Sequence, residues 1–406
     1  MRLTSVLTLF ALVAISVAAT ARQNGRKNDD LPALAGPASV ERTDVFTAPG
    51  GTAVHLRLLV QADHVDQADR YFSAAKAALA GYGQLLGPFP STTLTIVDPV
   101  ISRRGGPEGP PLHQEQTPII VASAHWFSPW TTAEPEMAVV QGIGRIYWRV
   151  QSSMDDEEWR LREALAAFTA ARVFADALPG RFAHTRRYFR GLVTWPYSDA
   201  PWTKDVDGDM VDVALDPAAA AADTGRAHDV LALATLERVV GTETMDRILR
   251  AAVARQTRTS SARADFEATA GEIAGRDLTS FFDATRRHDV AFDYAVDMPP
   301  AGAGTSAVVR HLSPGVFPVD VRVTFDDGSS RVEHWDGRDE QRTFEYARAP
   351  AIAAVEIDPD RVLRLDVHRT NNSWSAHSHG AHAARAWSLR WLVWFQHALM
   401  DYAFFA

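Results

Sequence analysis

The spacing of apolar residues changes along the chain, and this change most constrains the fold. Between Glu134 and Arg287 the apolar residues recur at helical spacing in six segments. These segments are residues 136–151, 157–177, 227–240, 243–256, 262–274 and 277–286. Short β-branched runs precede them, and after residue 305 the spacing becomes strictly alternating. We therefore predict an α+β protein in which a small mixed sheet and a helical body are followed by a small antiparallel β-sandwich domain.

The two ends of the chain indicate export and contact with a membrane. The apolar run Val6–Ala19 follows Arg2, and small residues up to Ala21 are typical of a signal-peptide cleavage site. Residues 387–406 are rich in Trp, Leu and Phe, which predicts a hydrophobic helix that inserts into a membrane or lies on it. Two alternatives stay open: an uncleaved N-terminal anchor, and a C-terminal helix that docks on the soluble fold.

Composition excludes several classes of function. The net charge is -9 and no long basic run occurs, which argues against nucleic acid as the main partner. The chain has no cysteine, so disulfides, thiolate metal sites and thiol nucleophiles are excluded. No serine nucleophile elbow and no Gly-rich phosphate loop occurs in the sequence.

One predicted helix, EMAVVQGIGRIYWRV at 136–150, has an unusual centre. It carries Gln141, Gly142, Gly144 and Arg145 within five residues. Glycine weakens a helix, and a guanidinium is costly in a core. These residues therefore need an explanation other than core packing.

Several motifs, taken in order, carry a family resemblance from about residue 52 to the C terminus. AALAGYGQLLGPFPSTTLTIVDP is followed by GGPEGP, VVQGIGRIYW, LREALAAF and VEIDPDRVLRLDVHRTNNS. This series resembles the membrane alanyl aminopeptidase family, which are gluzincin zinc metallopeptidases of the His-Glu-x-x-His type with a thermolysin-like domain. The chain is similar to a degenerate member, because none of these motifs is intact.

The resemblance assigns a counterpart to each residue of the zinc site. Gln141 and Arg145 stand in place of the two histidine ligands, and Gly142 stands in place of the general-base glutamate. Glu163 is the remnant ligand, and Thr224 stands in place of the tyrosine that stabilises the oxyanion. An amide is a poor zinc ligand, glycine accepts no proton and arginine repels a cation. We therefore expect no intact catalytic residue, no metal and no cofactor.

Two further site residues follow from the same resemblance and its chemistry. Glu108 takes the position that binds a substrate's free amino terminus in the family. Arg145 is expected to fill the place of the metal and to pair with Glu163, since an unpaired buried charge costs several kcal/mol.

The resemblance and the composition together divide the chain into six segments. These are a signal peptide (1–21), a linker (22–50), a gluzincin peptidase-like domain (51–300), a β-sandwich domain (305–373), a His/Ala linker (374–386) and a membrane-associated helix (387–406). The motif HSHGAH within 374–386 has no nearby carboxylate, and we interpret it as a solvated spacer rather than a metal site.

Three functions are compatible with these features. The first is an exported, extracytoplasmic (periplasmic or cell-surface), membrane-tethered and inactive peptidase-like protein that binds peptides or protein amino termini. The second is an active zinc metalloaminopeptidase with an atypical metal site, which would need zinc. The third is a structural or partner-binding ectodomain.

Overall fold

The structure is a computed structural model that describes eleven ranges of the chain. These are residues 39–48, 53–98, 119–121, 134–150, 154–177, 224–256, 262–287, 290–297, 305–347, 350–366 and 371–376. The predicted signal peptide (1–21), Glu108, the motif HSHGAH and the predicted C-terminal helix (387–406) lie outside them. Within the described ranges, no helix combines the length and the apolar character that a membrane span requires.

The chain divides into two compact units. Unit 1 comprises Met1–Thr185, Leu215–Val230 and Met245–Ile273. Unit 2 comprises Arg186–Ala214, Leu231–Thr244 and Ala274–Ala406.

Unit 1 contains the predicted small mixed sheet. Its strands are β1 (Ser39–Thr47), β2 (Ala53–Gln61), β3 (Thr93–Val97) and β4 (Ile119–Val121), in the order β1-β2-β3-β4. The β1–β2 pair is antiparallel, whereas β3 runs parallel to both β2 and β4. Apolar side chains of β2 and β3 are buried on the sheet. Their burial stabilises the fold because it removes apolar area from water.

Strand β1 corrects the prediction of a linker at 22–50, which is wrong for residues 39–47. The segment SVERTDVFT is polar or half-exposed along its whole length, because β1 pairs with β2 on one side only within the described residues. An edge strand of this kind lacks the strong apolar alternation by which a strand is recognised.

The described residues form seven helices, of which the last six follow the six predicted segments closely. They are α1 (Ala68–Leu86), α2 (Glu134–Tyr147), α3 (Asp156–Ala177), α4 (Thr224–Val240), α5 (Thr242–Arg255), α6 (Ala262–Ala274) and α7 (Thr279–Thr285). Helices α1, α2 and α3 all contact one another, and α2 also contacts β4. Helix α1 contacts β1 and β2 of the same sheet, so α1 and α2 both lie against it.

Unit 2 contains two antiparallel sheets. The strands are β5 (Tyr294–Val296), β6 (Ser306–His311), β7 (Val319–Phe325), β8 (Ser330–Trp335), β9 (Gln341–Glu345), β10 (Ile352–Ile357) and β11 (Ser373–Ser375). One sheet has the order β11-β10-β7-β8 and the other β5-β6-β9. Strand β10 contacts β5 and β6 of the second sheet, as expected for a small sandwich. A hairpin turn at Asp327-Gly328 joins the antiparallel strands β7 and β8, with Gly328 at a φ of 80°.

Both predicted boundaries of the β domain (305–373) need correction. Strand β5 lies inside the range 51–300 that was assigned to the peptidase-like domain, yet it pairs with β6. Strand β11 extends into the predicted linker at 374–386. Both strands have only three residues, which is too short for an alternating pattern to be recognised.

Candidate functional site

An ion pair joins α2 to α3 at the position where the sequence predicts it. The Nε of Arg145 donates hydrogen bonds to Oε1 of Glu163 at 2.9 Å and to Oε2 at 3.0 Å. The Nη2 of Arg145 also donates to Oε1 of Glu163. The predicted pairing of these two residues is therefore confirmed.

The two partners differ in their environment. The side chain of Glu163 is 4% exposed, whereas that of Arg145 is 44% exposed. Glu163 belongs to the run 161–166, in which every residue is buried. A carboxylate buried to this degree needs a cation or several hydrogen bonds to remain ionised, and the guanidinium supplies both.

The two glycines of α2 allow the helix to approach its neighbours closely. A Cβ atom placed on Gly142 would lie 2.6 Å from Cγ2 of Ile120 on β4. A Cβ atom placed on Gly144 would lie 2.5 Å from Oη of Tyr82 and 3.1 Å from the carbonyl oxygen of Ala166. Gly142 and Gly144 are therefore packing residues. The resemblance gives Gly142 only as the counterpart of an acid. Spacing in the sequence does not reveal these contacts, because the partners come from distant segments.

The residues at this position do not fit a zinc ion. Zinc sites in proteins use imidazole, thiolate and carboxylate ligands. Here both oxygens of Glu163 accept hydrogen bonds from Arg145, and Gln141 and Gly142 supply neither an imidazole nor a carboxylate. In the part of the chain that the structure describes, no group of three His, Asp or Glu residues could hold a metal ion.

The contacts described above do not include two of the predicted site residues. Thr224 is the first residue of α4, and Glu108 lies outside the described residues. The roles that the resemblance gives them stay predictions.

Helix α2 carries a second buried carboxylate, which the sequence did not predict. Glu136 is 2% exposed and accepts hydrogen bonds from Nε and Nη2 of Arg70 on α1, at 2.8 and 2.9 Å. Arg70 also donates from Nη1 to Gln67 at 2.8 Å. An acidic residue near the start of a predicted helix is normally read as a solvated end of the helix. The sequence therefore did not indicate that Glu136 is buried.

A third buried carboxylate lies at the end of β3. Asp98 is fully buried, and its Oδ2 lies 2.7 Å from Nδ1 of His64 and accepts a hydrogen bond from the backbone N–H of Gln61. Burial, with the charge of Asp98 as the next cause, raises the pKa of the nearby Tyr71 hydroxyl well above its usual range. Tyr71 is therefore neutral at physiological pH.

An open cavity of about 690 Å³ lies on the sheet of unit 1, away from the ion pair. Its lining comes from β1, β2 and β3 and includes Thr43, His55, Arg57, Thr93 and Thr95. Arg57 is already paired with Glu41 at 2.9 Å. Gln141, Gly142, Arg145 and Glu163 are not among its described lining residues.

Comparisons with known proteins support the fold. No protein-family model matches the chain, and no curated protein matches it. Among solved structures, it is similar to aminopeptidase A of Legionella pneumophila, determined in complex with aspartic acid, with a TM-score of 0.51 and 13% sequence identity. The match covers 81% of this chain and 38% of that chain. The chain therefore has an aminopeptidase-like fold and spans well under half the length of this neighbour.

Proposed function

We propose that this protein is an exported, membrane-tethered, peptidase-like protein of the membrane alanyl aminopeptidase family, with a thermolysin-like gluzincin domain and a degenerate zinc site. It does not hydrolyse peptides. It binds peptides or protein amino termini through Glu108. The observation that carries this proposal is the ion pair of Arg145 with the buried carboxylate of Glu163.

The chemistry of the site supports the loss of hydrolysis. A zinc peptidase needs a metal to polarise the peptide carbonyl and a general base to take a proton from water. The residue at 142 is glycine, and the carboxylate of Glu163 is bonded to a guanidinium. A guanidinium is a permanent cation and cannot activate a water molecule in the way that a zinc ion does.

Export and membrane attachment rest on the sequence. The segment 1–21 has the charged start, apolar run and small residues of a signal peptide. The segment 387–406 has the aromatic and aliphatic composition of a membrane-associated helix. We expect fractionation to place the protein in the membrane outside the cytoplasm, and deletion of 387–406 to release it.

The proposal is tested by activity and binding assays on the purified full chain supplied with zinc. Aminoacyl arylamide hydrolysis should stay at the buffer rate. Labelled peptides with a free amino terminus should bind more tightly than the same peptides after N-acetylation, and Glu108→Gln should remove this difference. Glu272→Gln, an exposed acid on α6, is the control. Turnover that Glu163→Gln abolishes and Glu272→Gln preserves would refute the proposal.

A further inference from the structure

We infer that Ile120 of β4 fills the place that a general-base side chain on α2 would need. Substituting the residues of α2 alone therefore cannot rebuild a hydrolytic site. This inference rests on the proposed function, because it concerns the same lost site. Ile120 leaves no room for a catalytic carboxylate at position 142.

Gly142 lies very close to the side chain of Ile120. A Cβ atom on Gly142 would lie 2.6 Å from Cγ2, 2.8 Å from Cγ1 and 3.0 Å from Cδ1 of Ile120. Distances this short are prohibitive, and all three atoms belong to a β-branched side chain with few rotamers. Beyond this Cβ atom, a glutamate at 142 would add Cγ and a carboxylate to the same crowded place.

Ile120 has little freedom to move aside. This residue is 3% exposed, and it is paired with Ile96 in the parallel β3–β4 ladder. Ile96 is fully buried. A shift of Ile120 would therefore disturb a packed sheet.

Helix α2 cannot retreat from β4 either. Gly144 is two residues beyond Gly142, which places it about 200° further around the helix axis, on nearly the opposite side. There a Cβ atom would lie 3.1 Å from the backbone oxygen of Ala166 and 2.5 Å from Oη of Tyr82. The hydroxyl of Tyr82 is itself held by a hydrogen bond to the carbonyl oxygen of Val140 at 3.2 Å. Close contacts on both sides therefore fix the position of α2.

The test is a double-mutant cycle on the full chain, read as the midpoint of thermal unfolding. Gly142→Ala and Gly142→Glu should each lower the midpoint by several degrees when Ile120 is present. The Ile120→Ala substitution removes all three crowded atoms. In that background, Gly142→Ala and Gly142→Glu should each lower the midpoint much less. The matched control is Gly83→Ala in α1, where nothing lies within 4 Å. It should leave the midpoint unchanged or raise it in both backgrounds, because alanine favours a helix more than glycine does.

Two results would overturn the inference. One is equal thermal stability of Gly142→Ala and Gly83→Ala when Ile120 is present. This comparison does not depend on whether the Ile120→Ala variant folds. The other is an equal loss from Gly142→Ala in both backgrounds. The zinc content of the unaltered protein reports on the proposed function separately, so failure of one claim is distinguishable from failure of the other.

Discussion

The guanidinium of Arg145 spans both carboxylate oxygens of Glu163, with Nε at 2.9 and 3.0 Å from them. The acid is 4% exposed and the base is 44% exposed. A cation at the surface thus neutralises a charge in the interior. Removal of Arg145 and removal of Glu163 should therefore differ in their effect on stability.

Arg145→Ala should lower the free energy of unfolding by about 2 kcal/mol. Breaking a buried pair costs more, but the exposure of Arg145 lets water screen part of the loss. Urea denaturation at neutral pH measures the change.

The matched variants separate charge from packing. Adding Glu163→Gln to Arg145→Ala should restore part of the lost stability, since no buried charge then remains. The exposed pair Arg255–Glu272, whose side chains are 47% and 63% exposed, is the control, and breaking it should have a much smaller effect. An equal loss from Arg145→Ala and Arg255→Ala would contradict the role given to Glu163.

Arg149→Gly should stabilise the protein by about 1 kcal/mol, because Arg149 has a φ of 50° in the left-handed region. It follows the end of α2, where the N–H of Val150 donates to the carbonyl oxygen of Arg145 at 3.0 Å. Glycine is the residue best suited to this position after a helix. Chemical denaturation of Arg149→Gly and Arg149→Ala makes the comparison. Equal stability of the two variants would exclude backbone strain as the cause.

Stability should fall in alkaline solution because several tyrosines are buried. Burial raises the pKa of Tyr82 far above 10, whereas an unfolded tyrosine ionises near pH 10. Burial also raises the pKa of Tyr294 to about 12. The neutral native forms therefore contribute stability that is complete below about pH 10 and is lost as the pH rises above it. For Tyr294 the loss occurs between about pH 10 and 12.

Denaturation at pH 9 and pH 11 measures this dependence. Each buried tyrosine should lower the free energy of unfolding by up to about 1.4 kcal/mol for each pH unit above 10. Tyr82→Phe should reduce the slope by the share of one tyrosine. A slope that Tyr82→Phe leaves unchanged would mean that Tyr82 ionises in the folded protein as it does in water.

The sequence predicted those parts of the molecule that depend on local spacing. The helices follow from apolar periodicity, and the turn at Asp327-Gly328 follows from its residue types. Helix α2 ends at Tyr147 rather than at residue 151, because the chain reverses through Arg149, which carries no breaker signal. Strand β1 was missed because its residues are polar at the edge of the sheet.

The site was predictable only in part, for the same physical reason. Arg145 and Glu163 lie 18 residues apart on two helices whose motifs resemble a known pair of site helices. Glu136 and its partner Arg70 are 66 residues apart, and no pattern connects them. The contact of Gly142 with Ile120 likewise depends on how closely a helix lies against a strand, which spacing does not encode.

The most direct measurement is the zinc content of the full-length protein purified from zinc-supplemented medium, determined by mass spectrometry beside the variant Glu163→Gln. If Arg145 has taken the place of the metal, both proteins should contain far less than stoichiometric zinc, at the level of a control without metal ligands. Stoichiometric zinc in the unaltered protein, lost on Glu163→Gln, would contradict this.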